Sequence, residues 1–411
     1  MAVCSSLKVL TTSREVLHLS CEQLFSVLPL GLPDPKRLPE DIQALSGFGA
    51  VAFFVERARA AKPDFRLTGE NAPVVAEICA RLDGLPLGIQ LAAARLRLLS
   101  PRAILERFRR RLRLLKGGTQ DAPARQKTLR DAIGWSYDLL GAEERLLFGR
   151  LSVFAGGCTL EAAEAVCDLG EDLTEEVLDL LASLMDKSLL NRAETEDGEG
   201  RFWMLETVRE YALERLEANR EQKEARHGHA VYYLALAKDA RPELTGPRQT
   251  EWFGRLESEH DNLRAALSWS LERGNAETAL QMNAQLWWFW YKRGHLSEGR
   301  RWLEEALGKS ASPTPARAEA LNGAGVLARN QADYERAQAW LEQSLAFWRD
   351  LGDKRGEADV LINLGTVALD TGDYPQAAAF FDESMPLRRE LGDSWGLALA
   401  LNNLGVTARP G

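Results

Sequence analysis

Apolar positions recur at three- and four-residue spacing through residues 41–61, 70–82, 87–99 and 101–115, which predicts four amphipathic helices parted by Pro or Gly breakers. Ahead of them, the apolar, β-branched run at 7–13 predicts a buried strand, and 22–30 predicts a second strand stopped by Pro29, Pro33 and Pro35. Residues 116–123 read as a linker. Four shorter helical patterns follow, at 128–140, 142–154, 159–166 and 175–187. Two apolar segments, 188–192 and 201–205, then flank a polar, glycine-bearing stretch. Helices followed by a hairpin are the order a winged helix needs. The pattern at 206–219 closes that unit with another helix, and 220–275 reads as helical throughout.

The C-terminal third repeats itself. Leu351-Gly352-Asp353 recurs as Leu391-Gly392-Asp393, 40 residues on, and Asn363-Leu364-Gly365 recurs as Asn403-Leu404-Gly405 at the same spacing. Asp333-Tyr334 and Asp373-Tyr374, Ala337 and Ala377, and Leu341 and Phe381 keep that period. Trp302-Leu303-Glu304 matches Trp340-Leu341-Glu342 at a spacing of 38. A period near 40 built of two helical patterns predicts a helical solenoid. Small residues (Gly325, Gly365, Ala337, Ala377) let paired helices approach, while Tyr334, Tyr374, Leu341 and Phe381 fill the space between them. Gly372-Asp373 makes a turn. These residues resemble tetratricopeptide repeats of the longer, 40-residue kind, without the proline that usually ends the second helix. The last unit stops after its first helix, so the solenoid is expected to be incomplete at this end.

Most tryptophans lie after residue 250, and Trp287-Trp288-Phe289-Trp290-Tyr291 stands out among them. One reading places Trp287, Trp290 and Tyr291 in the core and Trp288 alone outside. The other makes Trp288 and Tyr291 an aromatic anchor for a partner on the concave surface.

Composition narrows the class. The 411 residues are 45% apolar and 27% charged, as in globular protein, and length alone suggests about three domains. No run approaches the roughly 18 apolar residues of a membrane span, and no signal peptide stands at Met1. A cytoplasmic chain with no membrane partner is expected. The five cysteines are dispersed and form no C-x-x-C pair, which suits reduced, buried thiols. His227 and His229, two residues apart, would face different sides of a helix, and no metal site is expected there.

Net charge is −9 but uneven: residues 1–130 carry 21 Lys+Arg against 12 Asp+Glu, and the rest carry 30 against 48. Arg107, Arg109, Arg110, Arg111 and Arg113 lie opposite an apolar stripe, as a solvated helix face or as a patch for phosphate or acid. The candidate recognition helix at 175–187 carries Glu175, Glu176, Asp179 and Asp186, which argues against groove insertion and direct DNA binding.

Two short motifs suggest a nucleotide switch. Val9-Leu10-Thr11-Thr12-Ser13-Arg14 places an arginine just past the carboxyl end of a strand, where ligands sit in open α/β sheets. Gly84-Leu85-Pro86-Leu87 ends one helix and starts another through a rigid turn. In this order, followed by winged-helix and repeat patterns, they resemble the STAND class of signal-transduction ATPases, and more closely the NB-ARC-type transcriptional regulators of bacteria. The resemblance spans nearly the whole chain. It implies that Thr12 and Arg14 belong to the sensor strand, with Arg14 reading a γ-phosphate, and that Gly84, Leu85 and Pro86 bring a proline against adenine. It also implies that Met204-Leu205-Glu206 stands where the family has Met-His-Asp. Leu205 replaces the histidine that contacts phosphate, which leaves these three residues a hinge role.

No G-x-x-x-x-G-K-[ST] run occurs, nor a strand ending in paired acids ahead of Val9. Phosphoryl transfer depends on positioning and charge stabilisation by those parts. The expectation is therefore a non-catalytic fragment of a nucleotide-switched regulator, with no cofactor of its own; a full-length relative would hold ATP or ADP with Mg²⁺. The expected fold is mainly α: the end of a P-loop α/β domain (1–35), a helical domain (36–117), a winged helix (118–219), a helical connector (220–275) and the repeat solenoid (276–411). The repeats would bind a protein or a small inducer, and oligomerisation would require the full-length protein. Two alternatives stay open, a winged-helix DNA-binding protein and an ATPase completed by an N-terminal segment.

Overall fold

The computed structural model describes residues 22–407 except 24, 26, 35, 36, 40, 107–128, 169–172, 195–199 and 274. The expected strand at 7–13, with Thr12 and Arg14, and the Arg107–Arg113 face lie outside the described residues. The chain divides into two compact units, Met1–Gly228 and His229–Gly411.

The first unit opens on five helices: α1 (Ile42–Ser46), α2 (Gly49–Ala61), α3 (Ala72–Arg81), α4 (Pro86–Ala94) and α5 (Pro101–Glu106). The single helix expected at 41–61 is two, because Phe48 is extended and its side chain caps nothing. Asp41 starts α1 by accepting the Gln43 N–H at 2.9 Å. Apolar faces of α2, α3 and α4 meet through Val51, Phe54, Ile78, Leu82 and Ile89, all fully buried. The described part of 22–30 forms no strand. The Leu30 N–H instead donates to the Gly84 carbonyl at 3.1 Å, and the Gly31 carbonyl accepts from Ala50.

The winged helix comprises α6 (Leu129–Asp138), α7 (Ala142–Leu151), β1 (Cys158–Thr159), α8 (Leu160–Cys167), α9 (Val177–Asp186), β2 (Asn191–Glu194), β3 (Gly200–Trp203) and α10 (Glu206–Ala218). The hairpin is present but displaced by a few residues from its expected limits. It also gains a strand that the sequence reading missed: β1 pairs antiparallel with β3, Cys158 opposite Phe202, and gives the order β1-β3-β2. Gly157 permits that pairing, since a Cβ there would meet the Phe202 carbonyl oxygen and φ is +89°. Helix α7 is anchored by Glu144, which accepts from the Gly141 N–H at 2.6 Å, from Ser183 and from Lys187. Cys79 and Cys167 are free thiols, and both are buried, as is Cys158.

Helix α11 (Gln222–Glu243) runs across the boundary at Gly228. The second unit continues with α12 (Gln249–Ser258) and α13 (His260–Glu272). The helix pairs α14 (Ala276–Arg293) with α15 (Leu296–Lys309), α16 (Pro315–Arg329) with α17 (Tyr334–Leu351) and α18 (Lys354–Asp370) with α19 (Tyr374–Glu390) follow, and then α20 (Ser394–Thr407). The recurring Leu-Gly-Asp has a local cause. Gly352 closes α17 at φ 69°, and Asp353 caps α18 by accepting the Arg355 and Gly356 N–H groups at 3.0 Å. Asp333 and Asp373 cap α17 and α19 the same way. Ala337, Leu341, Trp348 and Leu364 form one buried layer, and Ala377, Phe381 and Ala400 form the next. Tyr334 packs against the first layer, whereas Tyr374, expected between helices, is half exposed.

Candidate functional site

Helix α3 ends in an abrupt reversal. Asp83 (φ 55°) and Gly84 (φ 67°) both sit in the left-handed region, the Gly84 N–H returns to the Cys79 carbonyl, and Pro86 opens α4 in its first turn. A side chain at Gly84 is excluded by geometry, because its Cβ would lie 2.3 Å from the Leu30 carbonyl oxygen. Leu85 is half-buried in extended backbone, and Pro86 is exposed.

The turn aims Asp83 at the winged helix. Its carboxylate accepts the backbone N–H of Thr207 at 3.1 Å and the Thr207 hydroxyl at 3.2 Å, at the N-terminus of α10. Thr207 is fully buried. A carboxylate at a helix N-terminus meets unpaired N–H groups and the positive end of the helix dipole. Burial nevertheless raises the Asp83 pKa, with the nearby Glu206 charge adding to the rise and the Thr207 bonds opposing it.

Beside this contact lies a cavity of about 220 Å³ lined by Asp83, Gly156, Gly157, Cys158, Met204, Glu206 and Arg209 among others. Arg209 is committed: it pairs with Glu206 at 2.7 Å and donates to the Ser152 carbonyl at 3.1 Å. Burial would lower its pKa, but the bond and charge of Glu206 outweigh that and raise it. Arg201, outside the lining, donates to the Gly156 and Gly157 carbonyls at 3.0 Å. A phosphate entering here would face two carboxylates and an arginine already paired to one of them.

The structure thus brings two expected motifs to one place, the Gly84 turn and the Met204–Glu206 segment. Met204 and Glu206 line the cavity, and Leu205 is the extended residue before α10. Leu85 and Pro86 do not line it. Sequence reasoning missed Asp83, Thr207 and Arg209, although each adjoins or closely follows a motif. In the second unit, Trp287, Phe289 and Trp290 are buried, while Trp288 and Tyr291 are half-buried with the Lys292 ammonium over both rings, at 4.8 and 5.2 Å. Tyr291 therefore does not join the core, and Trp288 does not stand bare.

The winged helix-turn-helix domain family model matches residues 140–217, and the tetratricopeptide repeat family model matches residues 316–390. Proteins named as HTH-type transcriptional regulators in Mycobacterium bovis and Mycobacterium tuberculosis are 38% identical over 363 residues, covering 86% of this chain and 39% of theirs. An uncharacterised Mycobacterium tuberculosis protein is 40% identical over 214 residues, covering 52% of this chain and 51% of that one. The chain therefore spans about half or less of the length of these relatives. Among solved structures, the signal-transduction ATPase with numerous domains and a tetratricopeptide repeat sensor from Pyrococcus horikoshii aligns at a TM-score of 0.29 and 18% identity, over 92% of this chain and 57% of that one. BtubC from P. vanneervenii aligns at 0.33 and 17%, over 44% of this chain and 83% of that one. The chain thus carries a winged helix-turn-helix match followed by a tetratricopeptide-repeat match, and its relatives bear the name of HTH-type transcriptional regulators. No helix among the described residues is long and apolar enough to cross a membrane.

Proposed function

We propose that this chain is the hinge and sensor portion of a STAND-like, NB-ARC-type transcriptional regulator that works in the cytoplasm without catalysing phosphoryl transfer itself. The Asp83–Thr207 contact carries this reading. It couples the Gly84–Pro86 turn, the element assigned to adenine by resemblance, to the first turn of α10, into which Met204–Glu206 leads. A domain movement on one side of that contact must be felt on the other. Thr12, Arg14, Gly84, Leu85 and Pro86 are then vestigial nucleotide contacts. The helical repeats supply the surface for a protein or small-molecule inducer, with Trp288 and Tyr291 as its aromatic anchor. The pairing of Arg209 with Glu206 and the absence of a G-x-x-x-x-G-K-[ST] run from the sequence both support a chain that does not grip triphosphate.

Isothermal titration with ATP and ADP tests this. Binding no tighter than millimolar is expected. Micromolar binding, or phosphate release abolished by Arg14→Ala, would replace this reading with that of a working ATPase.

A second reading, DNA binding, is favoured by the match of residues 140–217 to the winged helix-turn-helix model. Against it, the solvent face of α9 presents Leu178, Asp179, Ala182 and Asp186, a surface that repels a phosphate backbone. A gel shift with duplex DNA that weakens with salt would favour this second reading.

A further inference from the structure

Two helix corners of the second unit converge on a cluster of nitrogen and oxygen donors. Glu257 lies in the last turn of α12 and His260 in the first turn of α13. His295 follows Gly294 (φ 79°) and precedes α15, with its N–H bonded to the Trp290 carbonyl and its carbonyl accepting from Gly299. These backbone bonds fix the main chain from which its ring projects. One ligand atom from each of Glu257, His260 and His295 lies within 4.8 Å of the other two. His295 Nε2 is 3.3 Å from Glu257 Oε1, and the two imidazole rings are 4.4 Å apart.

The His260 side chain is 9% exposed, and its Nε2 is sealed from solvent with no hydrogen-bond partner. Its nearest carboxylate oxygen, Glu298 Oε1 at 3.6 Å, belongs to a carboxylate engaged by Arg264 and by Trp302 Nε1 at 3.2 Å. Whichever tautomer His260 adopts, that nitrogen wastes a donor or an acceptor, an expense in stability. A metal ion removes the expense by taking the lone pair.

We propose that Glu257, His260 and His295 form a zinc site that clasps the α12–α13 corner to the α14–α15 corner. Two imidazoles and a carboxylate are a donor set for zinc with one position left for water. Tetrahedral bonds of about 2.0–2.1 Å require small rotamer adjustments from the present separations. Glu298 and Asp261 add negative charge beside the site; Arg264 is drawn off by pairing with both of them, whereas Arg293 lies 3.8 Å from Glu257 itself and is displaced when zinc takes that carboxylate. No histidine spacing in the sequence announces the cluster, since His260 and His295 come from different helix pairs. The site stands independently of any nucleotide or DNA role.

The test uses the full 411-residue chain, stripped with chelator and titrated with ZnCl₂ by calorimetry, with CoCl₂ absorption as a second readout. One zinc per chain at micromolar affinity or tighter is expected, with cobalt bands of low coordination number. His295→Gln and Glu257→Gln, both at partly exposed positions, should each weaken binding about tenfold or more and leave the melting temperature of the metal-free chain unchanged. His227→Gln should leave binding intact. No saturable zinc binding, or binding that survives both of the first two substitutions, overturns the proposal.

Discussion

The Asp83 carboxylate and Thr207 stand 124 positions apart in sequence, yet one carboxylate oxygen receives both the Thr207 amide and its hydroxyl. Asp83→Ala removes both bonds, whereas Thr207→Ala removes the hydroxyl's alone and keeps the backbone N–H in place, so a cycle between them reads the hydroxyl bond. Asp83→Ala and Thr207→Ala in a double-mutant cycle should show a coupling of about 1–2 kcal/mol in the urea unfolding of the first unit. Asp83→Asn should lose far less, because burial raises the Asp83 pKa and so disfavours the charged form in the fold. The sign follows from linkage: a raised acid pKa means that the folded state holds the proton longer, so this group's stabilising contribution falls as pH rises through the raised value. Equal losses in the Asn and Ala variants would show that the charge, and not the acceptor, makes the contact.

Glu144 behaves oppositely. Burial alone would raise its pKa, but bonds from Lys187, Ser183 and the Gly141 N–H, with the Lys187 charge, outweigh burial and lower it. The side chains of Glu144 and Lys187 are only 12% and 18% exposed, so solvent screens the pair little. The stability it contributes is present above the unfolded glutamate value of about 4.3 and is lost as pH falls through the lower folded value. Glu144→Gln should destabilise the winged helix by about 2 kcal/mol at pH 7 and flatten its acid unfolding curve below that window, as followed by circular dichroism. An unchanged acid limb would mean that other carboxylates set it.

Ala332 adopts φ 60° at the position where the next repeat has Gly372, at φ 81°. The left-handed conformation strains an L-residue by about 1–2 kcal/mol, of which the greater freedom of glycine in the unfolded chain returns a part. Ala332 is exposed, so no packing is lost on truncation. Ala332→Gly should stabilise the repeats by about 0.5–1 kcal/mol in thermal unfolding.

Much of this architecture is legible in the sequence because its causes are local or periodic. The solenoid shows itself through Leu351-Gly352-Asp353 and Leu391-Gly392-Asp393, since each triplet both ends one helix and caps the next. The hairpin shows itself through two apolar segments around a polar turn. Strand β1 does not, since two residues offer no alternation and its pairing with Phe202 and Arg201 is long-range. The run containing Phe25, Val27 and Leu28 reads as a strand by composition, yet these side chains are 88%, 86% and 79% exposed and Leu30 makes its backbone bond to a turn. The site was half legible. Gly84 and Met204 mark the two sides of the seam, but only coordinates reveal that Asp83 and Thr207 close it.

Gly325, Gly365 and Gly405 occupy one repeat position on α16, α18 and α20, and their surroundings separate packing from helix propensity. A Cβ at Gly325 would lie 2.6 Å from Leu341 Cγ, and one at Gly365 would lie 2.4 Å from Phe381 Cε1. Leu341 and Phe381 are fully buried and cannot retreat without moving a neighbouring helix. Gly405 meets nothing within 4 Å among the described residues. Replacing glycine by alanine inside a helix gains about 1 kcal/mol of propensity in all three cases. Overpacking at a buried contact removes about 1–3 kcal/mol. Gly325→Ala and Gly365→Ala should therefore be net destabilising or, at the weak end of that range, neutral, whereas Gly405→Ala should raise the stability of α20 by up to about 1 kcal/mol. Urea unfolding of the three variants decides the matter: a uniform gain at all three would mean that the small residues set helix flexibility and not interhelical distance.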